Sequence, residues 1–179
     1  MKIEGFNGKA INADSHGRVL TRGFVSAECA DAAMKKKLYS LTSSYTTSGG
    51  DEEIIYLKND STTDLLVVDH IMVGTAVNAV FTIYQVTGTA GGASAITPVN
   101  MYHTATETAS VTATGDASVT GLTLGSVLGK RRVLANYSDD IPVMGHIILP
   151  QNTAIAISNS ATGACECTIT FHFDSLEDE

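Results

Sequence analysis

The last hydrophobic stretch of the chain alternates strictly. Cys165, Cys167, Ile169, Phe171 and Phe173 occupy odd positions, and Glu166, Thr168, Thr170, His172 and Asp174 the even ones. Successive side chains of a β-strand point to opposite faces, so this spacing predicts a strand with its odd residues in a core and its even residues on a polar face. The same period of two begins at Leu38. It recurs over 39–46, 52–58, 64–74, 78–87, 98–104, 108–113, 117–124, 131–136, 145–149 and 153–158, ending in 164–173, with Gly, Asn, Asp or Pro between most of these segments. No helical pattern long enough for a βαβ crossover follows residue 38. The expected fold is therefore mainly β, an antiparallel, jelly-roll-like sandwich over 39–175. The segments 88–95 and 138–144 read as its longest loops.

Residues 1–38 follow another pattern. Gly5, Gly8, Gly17 and Gly23 punctuate an extended arm over 1–25, with only Arg18-Val19-Leu20-Thr21 resembling a strand. A helix is predicted over 26–38. Ser26 caps it, Glu28 and Asp31 sit in its first turns, and Lys35, Lys36 and Lys37 close it, a polarity that suits the helix dipole. Its apolar side (Ala27, Ala30, Met34, Leu38) is thin. An irregular arm and a marginal helix gain order by packing on something else. Arg18, Val19, Leu20, Met34, Lys35, Lys36 and Lys37 are accordingly the candidate attachment residues. Residues 176–179 form an acidic tail.

In Asp64–Val73 both parities are apolar through Val68, which asks for cover on both faces of the strand. A neighbouring copy is one source of such cover, making Leu66, Val68 and Met72 candidate subunit-interface residues.

Composition narrows the function. Charged residues make up only 17% of the 179, and the net charge is −8. Nucleic-acid binding needs clustered cations, and the two small clusters, Lys35-Lys36-Lys37 and Lys130-Arg131-Arg132, have no interleaved aromatics. No apolar run approaches the roughly 20 residues of a membrane span, and the N-terminus lacks a secretory h-region. A protein made in the cytoplasm and left unglycosylated is expected.

The chemically capable residues do not form sets. Cys29, Cys165 and Cys167 are too few and too odd in number for a disulfide framework. Cys165 and Cys167 would sit about 6.6 Å apart on one strand face with no spaced metal partners, and read as buried thiols. Asp69-His70 would point to opposite faces, and Asp14-Ser15-His16 lies in the arm, so neither builds a nucleophilic site. The glycine-rich run at 88–95 follows a strand but opens no helix, which leaves an anion without a helix N-terminus. No catalytic residue, cofactor or metal is expected. A rival reading is a carbohydrate-binding module, in which Tyr45, Tyr84, Tyr102 and Tyr137 would supply a small aromatic platform, although aromatics are only 6% of the chain.

Several runs resemble a family of tailed-bacteriophage virion structural proteins. They are Asn12-Ala13-Asp14-Ser15-His16-Gly17-Arg18-Val19-Leu20, the Ala-rich helix ending Lys37-Leu38-Tyr39-Ser40, Ile55-Tyr56-Leu57-Lys58-Asn59-Asp60, Ala95-Ile96-Thr97-Pro98-Val99-Asn100, His146-Ile147-Ile148-Leu149-Pro150 and the final strand. The resemblance implies a short arm and helix preceding a β-sandwich on the virion. The leading expectation is a capsid decoration (cement) subunit, a homotrimer bound to the major capsid protein on the capsid surface. The alternative is a tail- or fibre-associated receptor-binding module. Strand parity alone sets one energetic expectation: Phe171→Ala should cost about 3–5 kcal/mol and His172→Ala no more than about 0.5 kcal/mol in denaturant unfolding.

Overall fold

The computed structural model describes Ala32, residues 35–141, Val143 and residues 146–175. These residues form twelve strands: β1 (Leu38–Thr47), β2 (Glu52–Asn59), β3 (Asp64–Thr75), β4 (Ala79–Gly91), β5 (Ser94–Ala95), β6 (Val99–Asn100), β7 (Val111–Gly115), β8 (Thr120–Val133), β9 (Tyr137–Ile141), β10 (Ile147–Leu149), β11 (Ala154–Asn159) and β12 (Gly163–Ser175). One sheet runs β10-β3-β12-β1-β6, with β9 joining β3 beside β10; the other runs β5-β7-β2-β11-β4-β8. Every ladder is antiparallel. The protein is thus mainly β, with two sheets facing each other across one core.

Some boundaries differ from the sequence expectation. Segments 117–124 and 131–136 belong largely to the single strand β8, and most of 98–104 lies outside β6. The expected loop at 138–144 contains β9, which β3 holds in register from Ile71↔Ile141 to Thr75↔Tyr137. Its Asp139-Asp140 pair has low β propensity, and the pairing with β3 overrides it. The glycine-rich run is partly strand as well, since β4 reaches Gly91. There Gly88 (φ +104°) and Gly121 (φ +78°) are both left-handed, and a Cβ on Gly88 would lie 2.5 Å from the Gly121 carbonyl oxygen. Only glycine fits that crossing.

The arm over 1–25 and the acidic tail lie outside the described residues, as does most of the predicted helix. Its end is visible. The Lys37 N–H donates to the Ala32 carbonyl at 2.8 Å, and Lys36 is left-handed at φ 61°. This six-to-one bond over a left-handed residue is the Schellman stop, which ends the helix before Lys36 rather than at 38. Leu38 is already the first residue of β1, paired with His172 and buried.

The core follows from alternation. Cys165, Cys167, Ile169, Phe171 and Phe173 are all buried on the inner face of β12. Tyr39 stacks on Phe171 at 5.7 Å, and Phe173 meets both rings edge-on at 5.9 and 6.1 Å. The second sheet answers with Ile55, Leu57, Phe81, Ile83, Ile155 and Ile157, all buried in the same cluster. Asn59, fully buried at the end of β2, ties the sheets together. Its amide donates to the Asp64 carbonyl at 3.0 Å and the Leu149 carbonyl at 2.8 Å, both in the first sheet.

Strand β3 departs from strict alternation. Its register with β12 slips between Thr170↔His70 and Phe171↔Val68, leaving Asp69 as an extra residue. Leu66 and Val68 before the bulge, and Ile71 and Val73 after it, all reach the core. Asp69 and His70 therefore share the outer face instead of opposing each other. Leu66 and Val68 are fully buried inside the monomer and cannot line a subunit interface; Met72, 44% exposed, can.

His172 corrects the polar-face expectation. Its parity is outward, yet it is buried in a row with Leu38 and Val67 across three strands. Its Nδ1 lies 2.8 and 2.9 Å from the Asp69 carboxylate oxygens, and the two side chains are only 6% and 10% exposed. Removing one member of a buried pair strands the other. We expect His172→Ala to cost about 3 kcal/mol, close to Phe171→Ala rather than negligible. A chemical denaturation midpoint for His172→Ala equal to that of the wild type would show that the pair contributes nothing.

Candidate functional site

The titratable groups with chemical potential are dispersed in separate pairs. His172 is engaged by Asp69, and His70 Nε2 sits 2.9 Å from Asp140 on the exposed side of β3. Among the described residues no three His, Cys, Asp or Glu side chains converge as a metal set, and no helix is long and apolar enough to cross a membrane. Asp14-Ser15-His16 and Cys29 lie outside the described residues. Cys165 and Cys167 are free thiols on the inner face of β12, and Cys165 Sγ donates to the Tyr45 carbonyl at 3.3 Å. Burial pushes both thiols up from their ordinary value, Cys167 most strongly, and the neighbouring Cys165 adds to the shift there.

Of the candidate attachment residues, Arg18, Val19, Leu20 and Met34 lie outside the described residues. The structure brings Lys35, Lys36 and Lys37 to one end of the sandwich, around a hollow of about 240 Å³ that Tyr39 and Phe173 also line. Lys36 and Lys37 meet acidic partners within the chain. Lys36 lies 3.4 Å from Glu107 and over the Tyr102 ring, and Lys37 lies 3.2 Å from Asp64. In the second basic cluster, Arg131 forms a two-pronged pair with Asp139 at 2.7 and 3.0 Å.

The four candidate tyrosines do not form a platform. Tyr45 packs against the core, and Tyr84 joins a second apolar cluster with Tyr56, Val86 and Ala156. Tyr102 lies beneath Lys36. Tyr137 alone stands free, 67% exposed.

At the end of the sandwich opposite the lysines lies a groove of about 740 Å³. Its floor is a row across four strands, Ser44↔Glu166↔Gly74↔Ser138. The residues are small except for Glu166, whose carboxylate lies where a Gly74 side chain would begin: a Cβ there would sit 2.9 Å from its Oε1. Beyond the β1 edge stands Asp116, left-handed at φ 59°. Its N–H donates to Ser43 Oγ at 2.8 Å, and its Oδ1 accepts the Ser44 N–H at 2.9 Å. Tyr137 and Asn136 flank the β9 side. No sequence motif marks this groove, because its residues come from five separated segments that only strand register aligns.

A second feature is the edge strand β8, whose only ladder among the described residues is with β4. Leu124, Val127 and Leu128 on it are 43–48% exposed. Long apolar edges of this kind are templates for association.

No protein-family model matches the chain, and no curated protein or solved structure matches it significantly.

The burial of the thiols gives a direct check. In a Cys29→Ser variant, native protein at neutral pH should resist a thiol-specific reagent, and both remaining cysteines should react once denaturant is added. Rapid labelling of the native form would show that the odd face of β12 is accessible.

Proposed function

We propose that this chain is a non-enzymatic structural subunit of a tailed-phage virion, a jelly roll that decorates the capsid surface. The observation that carries the jelly-roll part of the reading is strand order. The order β9/β10-β3-β12-β1 in one sheet and β2-β11-β4-β8 in the other supports a jelly roll made from two Greek keys, with β9 and β10 together taking the place of one of its eight strands. On this reading β5, β6 and β7 are additions at its edges. Jelly rolls serve in viral capsid and lectin domains. Fold does not choose between such roles. The choice of a virion role rests on the motif runs that resemble phage structural proteins, on the low charge content, and on the dispersal of the titratable groups.

The geometry supports a two-ended subunit. Strands β1 and β12 lie side by side, with Leu38 opposite His172 and Thr47 opposite Gly163. The lysine end, where the N-terminal segment enters, is thus separated from Ser44 of the groove floor by six residues of β1, about 20 Å. Attachment to the major capsid protein is assigned to the segment preceding β1. Contact with further copies, as a homotrimer, is assigned to β8, whose Leu124, Val127 and Leu128 need cover. A receptor-binding role on a tail or fibre is the second reading, favoured by the open groove.

Two experiments test these assignments. Deletion should spare residues 32–38, because the Lys36 and Lys37 carbonyls accept hydrogen bonds from Asn100 and Phe173. A protein lacking residues 1–31 should keep its β circular dichroism but fail to sediment with particles that lack the native copy, whereas the full chain sediments with them. Full occupancy by the truncated protein would refute the attachment role. In sedimentation velocity the full chain should run as a trimer, and Val127→Lys with Leu128→Lys should run as a monomer; an unchanged trimer would remove β8 from the interface.

A further inference from the structure

We infer that the groove at the Ser44–Glu166–Gly74–Ser138 end is a binding site for a neutral oligosaccharide. The inference concerns this face alone and holds whether the chain sits on a capsid or a tail.

The groove's shape comes from the sheet. Four adjacent strands place Ser44, Gly74 and Ser138 beside Glu166, so the outer face of the first sheet is open here while Leu38, Val67 and His172 close it at the other end. Three strand spacings give a floor roughly 14 Å wide. The volume of about 740 Å³ falls within the range of small-ligand sites.

Its chemistry selects the ligand class. The lining contains Asp116 and Glu166 but no Lys, Arg or His, so an anionic ligand meets repulsion and no counter-charge. The two carboxylates are fewer than the ligands a bound cation requires, and the described residues form no metal set. What the carboxylates do offer is strong acceptor capacity. One oxygen of Asp116 is engaged by the Ser44 N–H, which fixes the side chain, while its second oxygen and both oxygens of Glu166 have no hydrogen-bond partner among the described residues. Ionised carboxylates take several hydroxyl donors each, and adjacent hydroxyls on a sugar ring present donors in pairs. The Asn136 side chain and the Ser44 and Ser138 hydroxyls can donate in return. Tyr137, a lining residue that is 67% exposed, supplies the remaining element, an aromatic ring against which the apolar face of a sugar can lie. Tyr45, the other aromatic in the lining, packs against the core, so with one well-exposed ring the affinity is low for a single subunit, and several copies on one particle would raise it through avidity.

The test is saturation-transfer difference NMR on the full chain. The probes are methyl α-glucoside, methyl α-mannoside, methyl β-galactoside and lactose, with glucuronate and glucosamine as charged comparisons, and calcium chloride is titrated separately and read from the protein's own chemical shifts. At least one neutral probe should receive saturation, with stronger transfer than its charged counterparts. The signal should fall at least five-fold in Tyr137→Ala and in Glu166→Gln, both at exposed positions where folding is unaffected, as unchanged circular dichroism and melting would verify. Ser138→Trp, which fills the floor, should abolish it. Absence of transfer to every neutral probe would overturn the inference. So would transfer that survives all three substitutions, stronger binding of glucosamine, or a specific calcium-induced shift at Asp116 and Glu166.

Discussion

Strand β3 carries one residue more than its partner between Val68 and Ile71, and the inner face of the first sheet depends on that extra residue. A period of two cannot put Leu66, Val68, Ile71 and Val73 on one side, because the third and fourth differ in parity from the first two. The bulge at Asp69 absorbs the mismatch and lets all four reach the core. The residue it displaces is a carboxylate, pushed onto the face where the outward-pointing His172 of β12 waits. The pairing of these two side chains is thus tied to the same slip in register that keeps the core apolar. Loss of the bulge would turn either Leu66 and Val68, or Ile71 and Val73, away from the core.

The outer face of this sheet is graded along its length. At the end where the chain enters, Leu38, Val67 and His172 are buried; further along, Met72 and Glu166 are exposed. The second sheet resolves its outer face differently. Its central strand β11 is buried throughout, and Ala154 and Ala156 lie under Val119, with Ala90, Ala93 and Leu122 packed around them. Small residues there let neighbouring segments fold close over the sheet, and the glycine crossing at Gly88 and Gly121 is where two of those segments pass.

Much of the architecture was legible in the sequence, and the exceptions share a cause. Segments with their own apolar alternation, such as 164–173 and 52–58, appear as strands within a residue or two of their expected limits, and the five odd residues of β12 are buried. Segments that borrow their conformation from a partner were not legible. Tyr137–Ile141 has charges where a strand would carry apolar residues, and only its ladder with β3 reveals it. The parity rule also presumes that no residue is inserted, which is why Asp69 and His70 were expected on opposite faces, and that an outward face is a wet one, which is why His172 looked dispensable. The groove was hidden for a further reason: strand register brings Ser44, Gly74, Ser138 and Glu166 together from segments up to 122 positions apart in sequence.

The side-by-side pairing of the first and last long strands has an engineering consequence. Because β1 and β12 are antiparallel neighbours, the described residues begin and end at the same pole, and the turns after Thr47, Thr75 and Asn159 cluster at the other. Foreign epitopes spliced into those three turns would project away from the pole where β1 begins and β12 ends. The sandwich in this sense offers a display side made of three turns, set apart from the pole that holds the outer ends of its first and last long strands.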